Sequence, residues 1–127
     1  MDVKVESPEH VIGGPTLRFD LTAAQREIRE ESAWHTGGHS ARTLAKYDDL
    51  RIVLVAMKAG NIIKEHRTGA RISIQALSGR IRVRVGDDRV ELPAGGLLVV
   101  DRSLPHEVEA VEESSFLLSM FGTIHHG

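Results

Sequence analysis

The stretch 60-GNIIKEHRTGARISIQALSG-79 begins and ends on glycine, and it sets the interpretation of the rest of the chain. Its one histidine, His66, stands shortly before a run in which Ile72, Ile74 and Ala76 alternate with other residues. Successive side chains of a β-strand point to opposite faces of a sheet, so this period of two predicts a strand with those three residues on one face. The opposite face takes Arg71, Ser73, Gln75 and Leu77.

Short runs rich in β-branched residues recur on both sides of this stretch, with turn residues between them. The runs are RIVLVAM (51–57), RIRVRV (80–85), RVELP (89–93), GLLVVD (96–101), HEVEAV (106–111) and SFLLSMF (115–121). Gly-Asp-Asp at 86–88 is a hairpin signal between two of them. The pattern predicts a small all-β sandwich or barrel.

The run 80–85 carries arginine at every second position, so Arg80, Arg82 and Arg84 share one strand face. Its inward face takes Ile81, Val83 and Val85. The chain has 16 basic and 18 acidic residues and a formal net charge of −2. We interpret the arginine face as solvated or ion-paired, and the near-neutral charge predicts no nucleic-acid partner.

A helical pattern precedes the strands. In DLTAAQREIREESAW (20–34), apolar residues recur near helical spacing, which predicts one amphipathic α-helix in front of the barrel. Asp20 or Thr22 is placed to cap its start, and Gly37-Gly38 lies just past its end. The histidines His35 and His39, which flank those glycines, are interpreted as surface residues.

The chain of 127 residues fits one domain, in which residues 1–48 form an N-terminal arm carrying the helix and residues 49–127 form the barrel. Because there is no cysteine, there is no disulfide and no thiolate metal site. No signal pattern opens the chain, and no apolar run approaches the roughly 20 residues of a membrane span. These features predict a cytoplasmic protein with no membrane partner.

Two glycine-bounded segments carry the most specific signal. The first reads Gly60, five residues, His66, one residue, Thr68, three residues, Ile72, six residues, Gly79. The second reads Gly95, five residues, Asp101, one residue, Ser103, two residues, His106, three residues, Ala110.

In their spacing these segments resemble the two motifs of the cupin superfamily. The first family motif is Gly, five, His, one, His, three or four, Glu, six, Gly, and the second is Gly, five, Pro, one, Gly, two, His, three, Asn. The resemblance covers about residues 50–121 and is to a small single-domain bacterial cupin of the conserved-barrel type. It implies a double-stranded β-helix, or jelly-roll, barrel.

The resemblance also implies an incomplete metal site. Cupins hold their metal with three histidines and a glutamate; here His66 and His106 stand at the first and last histidine positions. Thr68 stands where the second histidine belongs, and Ile72 stands where the carboxylate belongs. Two imidazoles leave the charge of a divalent ion uncompensated, so His66 and His106 are expected to hold at most a weakly bound Fe, Mn, Ni or Zn ion.

The same positions define a candidate ligand pocket, made of His66, Thr68, Arg71, Ile72 and His106. Arg71 would grip a carboxylate if the preceding loop were rearranged, whereas regular alternation points it outward. Asp101 is interpreted as a turn residue. The histidine pair has two interpretations that both stay open: it contacts a ligand, or each imidazole hydrogen-bonds to a neighbour at the barrel opening.

The sequence therefore predicts a small cupin that binds a small organic molecule without a tightly held metal. The alternative is a metal-dependent cupin enzyme, a dioxygenase, isomerase or lyase, in which His66 and His106 are joined by ligands from outside the motifs. A third hypothesis is a sensor that partners with a separate regulator. Because small cupins usually dimerise, a homodimer is expected.

Overall fold

The computed structural model describes residues 14–66 and 69–122, and at residues 65 and 66 it describes the backbone only. Two short helices precede nine strands over this part of the chain. The helices are α1 (Leu21–Ile28) and α2 (Ser32–Gly37). The strands are β1 (His39–Lys46), β2 (Leu50–Met57), β3 (Ile62–His66), β4 (Arg71–Ser78), β5 (Arg80–Val85), β6 (Asp88–Pro93), β7 (Leu97–Val100), β8 (His106–Ala110) and β9 (Ser114–Phe121).

The strands form two antiparallel sheets. One has the order β1-β2-β9-β4-β7, and the other has the order β3-β8-β5-β6. The main core joins buried side chains of both sheets, among them Ile74 and Phe116 from the first and Val83 and Val108 from the second. The predicted all-β architecture is confirmed, and each predicted run forms a strand. The strands β1 and β3 were not among the predicted runs.

The predicted face assignments are confirmed in β4 and β5. Ile72, Ile74 and Ala76 are buried in the main core. Ile81 and Val83 join them, and Val85 packs against the same core. The period of two therefore holds through both strands because each buries one face against the opposite sheet.

Strand β2 is covered on both faces, which explains its nearly continuous apolar sequence. Val55 and Met57 point into the main core. Leu54 and Ala56 point the other way and pack in a second cluster with Ile28 of α1. The helices thus cover the outer side of the five-stranded sheet beside β1 and β2.

The prediction of one helix over 20–34 is wrong, because the helix is broken after Ile28. Asp20 caps α1 by accepting a hydrogen bond from the Ala23 amide. At the other end, the Ser40 hydroxyl donates to the Ile28 carbonyl at 2.8 Å. Six residues make roughly one and two-thirds turns, so a continuous helix would place Trp34 on a different side from Ile28. The break lets both side chains enter one buried cluster.

The arginine face of β5 is paired with acidic residues of its two neighbours, as the sequence predicted. Arg84 lies 3.1 Å from Glu107, and Arg82 lies 3.3 Å from Glu109. Arg80 and Arg82 also approach Glu91 of β6, at 3.8 and 3.7 Å. These cross-strand contacts fix the outer face of the four-stranded sheet as a charged surface.

Strand β1 lies within residues assigned from the sequence to the N-terminal arm, yet it pairs along its length with β2. Arg42 ties it to the first helical segment through Glu27 at 2.9 Å and to the following turn through Glu31 at 3.0 Å. Within residues 14–66 and 69–122, no helix has the length and apolar character needed to cross a membrane.

Candidate functional site

A cavity of about 270 Å³ lies between the two sheets. Its walls come from β1, β2, β4 and β9 on one side and from β3 and β8 on the other. The lining residues are His39, Ala41, Val53, Val55, Ile63, Lys64, Ile74, His106, Glu107, Val108, Phe116 and Leu118. Ala41 and Lys64 are exposed, so the cavity reaches solvent between the edge strands β1 and β3.

The cavity is small and its walls are largely hydrocarbon. An apolar cavity of about 150 Å³ admits benzene, and ligand pockets commonly begin near 300 Å³. A volume of about 270 Å³ therefore suits one ring with a few substituents, or an aliphatic molecule of similar size. Among the described residues that line the cavity, His39 and His106 contribute imidazole rings.

His106 is the first residue of β8 and is only 6 % exposed. Its Nδ1 lies 3.3 Å from the carbonyl oxygen of Leu104. A carbonyl only accepts, so Nδ1 carries the hydrogen in this contact. Ser103, in the turn before the strand, has a φ of 63°, a left-handed conformation at the position where the cupin motif has glycine.

The backbone register brings the two predicted histidines together. His66 is the last residue of β3, and its Cα is paired with that of His106 in the antiparallel ladder. Directly opposed residues in such a pair have Cα atoms about 4.5 to 5.5 Å apart. The side chain of His66 and all of Thr68 lie outside the described residues, so their predicted roles stay predictions.

The second histidine that the structure places at the cavity is His39, which the sequence analysis had assigned to the surface. That interpretation is wrong for His39 and correct for His35, which is exposed on α2. His39 starts β1, directly after Gly38, the left-handed C-cap of α2. Its Nδ1 lies 2.9 Å from Oδ1 of Asn61. No local pattern marks this residue, because its place at the cavity depends on the pairing of β1 with β2.

Arg71 lies on the outer face of β4, in the orientation that regular alternation predicted. Its guanidinium donates to Asp101 Oδ1 at 2.9 Å, and both side chains are at least half exposed. This hydrogen bond from Arg71, with a second from the Arg102 amide, lowers the pKa of Asp101 below its ordinary value. Among the described residues that line the cavity, Arg71 does not occur.

Ile72 stands at the cupin carboxylate position and is 2 % exposed within the main core. It offers no donor atom, and the second-histidine position falls on Thr68. Over the described part of the chain, no three His, Cys, Asp or Glu side chains form a group that would hold a metal ion. The described donors thus fit a tightly held divalent ion poorly, since such ions need several imidazole and carboxylate ligands.

The two antiparallel sheets around this cavity have the architecture of a cupin β-barrel. Comparison with solved structures confirms this fold. A cupin superfamily protein from Desulfitobacterium hafniense is 18 % identical, with a TM-score of 0.63 over 65 % of this chain and 76 % of that one. A conserved protein of unknown function from Streptococcus pyogenes is 23 % identical, with a TM-score of 0.71 over 91 % of this chain and 97 % of that one.

Enzymes occur among the similar structures as well. Salicylate 1,2-dioxygenase from Pseudoaminobacter salicylatoxidans, solved as adducts with gentisate, is 15 % identical, with a TM-score of 0.72. The match covers 81 % of this chain but only 32 % of the dioxygenase. No family model and no curated protein matches the sequence. The similarity therefore establishes the fold and leaves the function to the site.

Proposed function

We propose that the protein binds a small organic molecule with a mainly apolar body in the cavity between its two sheets. The observation that carries this proposal is the cavity itself, about 270 Å³ of space walled by hydrocarbon side chains and reached from solvent. Buried apolar walls favour an apolar ligand body, and a few polar groups orient it.

The walls indicate how the ligand is held. Val55, Ile74 and Phe116 are well-packed core residues, so this part of the cavity is rigid and largely preformed. His39 and His106 add polar atoms, and Lys64 adds a cation at the exposed end. A ligand whose ring or branched chain packs among the apolar side chains, and whose polar substituent hydrogen-bonds to a histidine, would match both the apolar and the polar groups of the wall.

The proposal is tested by a thermal-shift screen with salicylate, gentisate, keto acids and sugars, followed by titration of each molecule that stabilises the protein. Ala41 is exposed at the cavity, so Ala41→Phe should fill the opening without displacing the core. We expect this variant to reduce affinity at least about tenfold, because the new ring occupies the space of the ligand.

The matched control is Ala33→Phe, which adds the same ring to an exposed alanine of α2, away from the cavity lining. Equal affinity in the control and the original protein, with a loss in Ala41→Phe, supports the proposal. If no small organic molecule raises the melting temperature, the proposal is wrong. A shift caused only by transition metals and insensitive to Ala41→Phe supports the metal-dependent alternative.

We further propose that the protein is a homodimer. Among the described residues, Leu97 and Val99 are highly exposed apolar side chains, at 62 % and 60 %. They share the outer face of β7, the last strand in its sheet's order. Phe121, 44 % exposed on β9, shares that outer face across β4. A patch of this kind suits a two-fold contact, in which the same surface meets itself.

We expect Leu97→Lys with Val99→Lys to convert the dimer to a monomer at micromolar concentration, because four buried charges would face one another across the two-fold axis. Light scattering after size exclusion measures the mass. Leu104→Lys with Val111→Lys changes two exposed apolar residues elsewhere and should leave the mass unchanged. A monomeric original protein would contradict the proposal.

A further inference from the structure

The contacts of Asn61 fix the tautomer of His39. The Asn61 side chain donates from Nδ2 to the Gly37 carbonyl oxygen at 3.2 Å. Its amide oxygen, Oδ1, is therefore the atom that meets His39 Nδ1 at 2.9 Å. Since an amide oxygen only accepts, the hydrogen between them sits on His39 Nδ1.

This tautomer decides what His39 offers to a ligand. In a neutral imidazole with hydrogen on Nδ1, Nε2 carries a lone pair and accepts. Asn61 is not among the cavity-lining residues, whereas His39 is. Because Nδ1 is hydrogen-bonded to Asn61, Nε2 is the nitrogen through which His39 can accept a hydrogen bond from a ligand in the cavity. The position calls for a hydrogen-bond donor on the ligand.

We propose that His39 selects, among molecules that fit the cavity, those that bring a hydroxyl group to donate to its Nε2. The ligand class is a hydroxylated ring or hydroxylated short chain with an apolar body. Asn61 is the positioning residue, because it acts through His39 by holding the hydrogen on the other nitrogen. This inference rests on the proposed function, since it presumes that the cavity binds an organic molecule.

The test uses two probes of nearly equal shape, phenol and toluene, titrated into the isotope-labelled protein by NMR at about pH 8, where imidazole in water is neutral. We expect phenol to bind about 3- to 10-fold more tightly than toluene, the factor that corresponds to one net hydrogen bond. His39→Phe keeps an aromatic ring but removes the acceptor, so it should lose the preference and retain toluene binding.

Asn61→Leu tests the positioning role. Long-range nitrogen–proton spectra of the imidazole report which ring nitrogen carries the hydrogen. We expect the Nδ1–H form of His39 in the original protein and a mixture of forms in Asn61→Leu, with a smaller preference for phenol. A purely structural role for Asn61 would lower both affinities and leave the tautomer unchanged, which would overturn its assignment.

The outcomes separate this inference from the proposed function. Equal affinity for phenol and toluene in the original protein overturns the inference and leaves the proposed function standing. The Nε2–H tautomer at His39 in the original protein also overturns it. Binding of neither probe, together with no hit in the thermal-shift screen, overturns the proposed function and the inference with it.

Discussion

Replacing Ile72 with glutamate, which restores the carboxylate of the cupin motif, is expected to destabilise the protein by about 4 kcal/mol at pH 7. Ile72 is 2 % exposed and packs in the main core. Burial without a partner raises the pKa of a carboxyl group, so the folded variant would keep its proton. Each pH unit above the unfolded-state pKa of about 4.3 then costs about 1.4 kcal/mol.

The sign of the pH dependence follows from the same argument. Below the unfolded-state pKa both states bind the proton and the charge penalty disappears, while above it the loss of stability grows with pH. Urea unfolding at pH 5 and pH 7 measures the difference. Ser73→Glu is the matched control, because Ser73 lies one residue along β4 on the outer face. An Ile72→Glu variant as stable at pH 7 as the original protein would contradict the expected cost of an unpartnered buried carboxyl group.

Replacing Gly79 with alanine is expected to destabilise the protein by about 2 to 5 kcal/mol, the sum of a left-handed backbone and an overpacked contact. Gly79 has a φ of 71° in the turn between β4 and β5. A Cβ there would overlap the carbonyl oxygen of Glu113 and lie 2.9 Å from the Ser114 Cα. Both are backbone atoms, which cannot move aside as the end of a side chain can.

Gly86→Ala supplies the control. Gly86 has a φ of 58°, but a Cβ there would meet nothing within 4 Å. Gly86→Ala should therefore lower the free energy of unfolding only by the cost of a left-handed backbone at alanine, about 1 to 2 kcal/mol. The difference between the two variants, measured by urea unfolding, isolates the steric contact. Equal losses would show that the chain at Glu113 and Ser114 gives way to the added methyl group.

Much of the barrel could be predicted from short-range pattern. Ile72, Ile74 and Ala76 share a face because strand geometry has a period of two, and the hairpin at 86–88 follows from its turn residues. The spacing of the glycine-bounded segments predicted the cupin fold and brought His66 and His106 into one region. The structure aligns these two histidines in register between β3 and β8.

Other features depend on contacts between distant parts of the chain, which no local pattern encodes. The helix breaks after Ile28 because this break allows Ile28 and Trp34 to pack in the same buried cluster. Strand β1 has few β-branched residues, and it is a strand because it pairs with β2.

The sequence by itself determined the fold class, the faces of the central strands and the place of His106 at the cavity, because these follow from side-chain alternation and motif spacing. Only the tertiary structure decided that His39 lines the cavity, that Asn61 hydrogen-bonds to it and that Arg71 pairs with Asp101. Each of these contacts joins residues 22 or more positions apart. Their meeting depends on how the sheets close, which is a property of the whole chain.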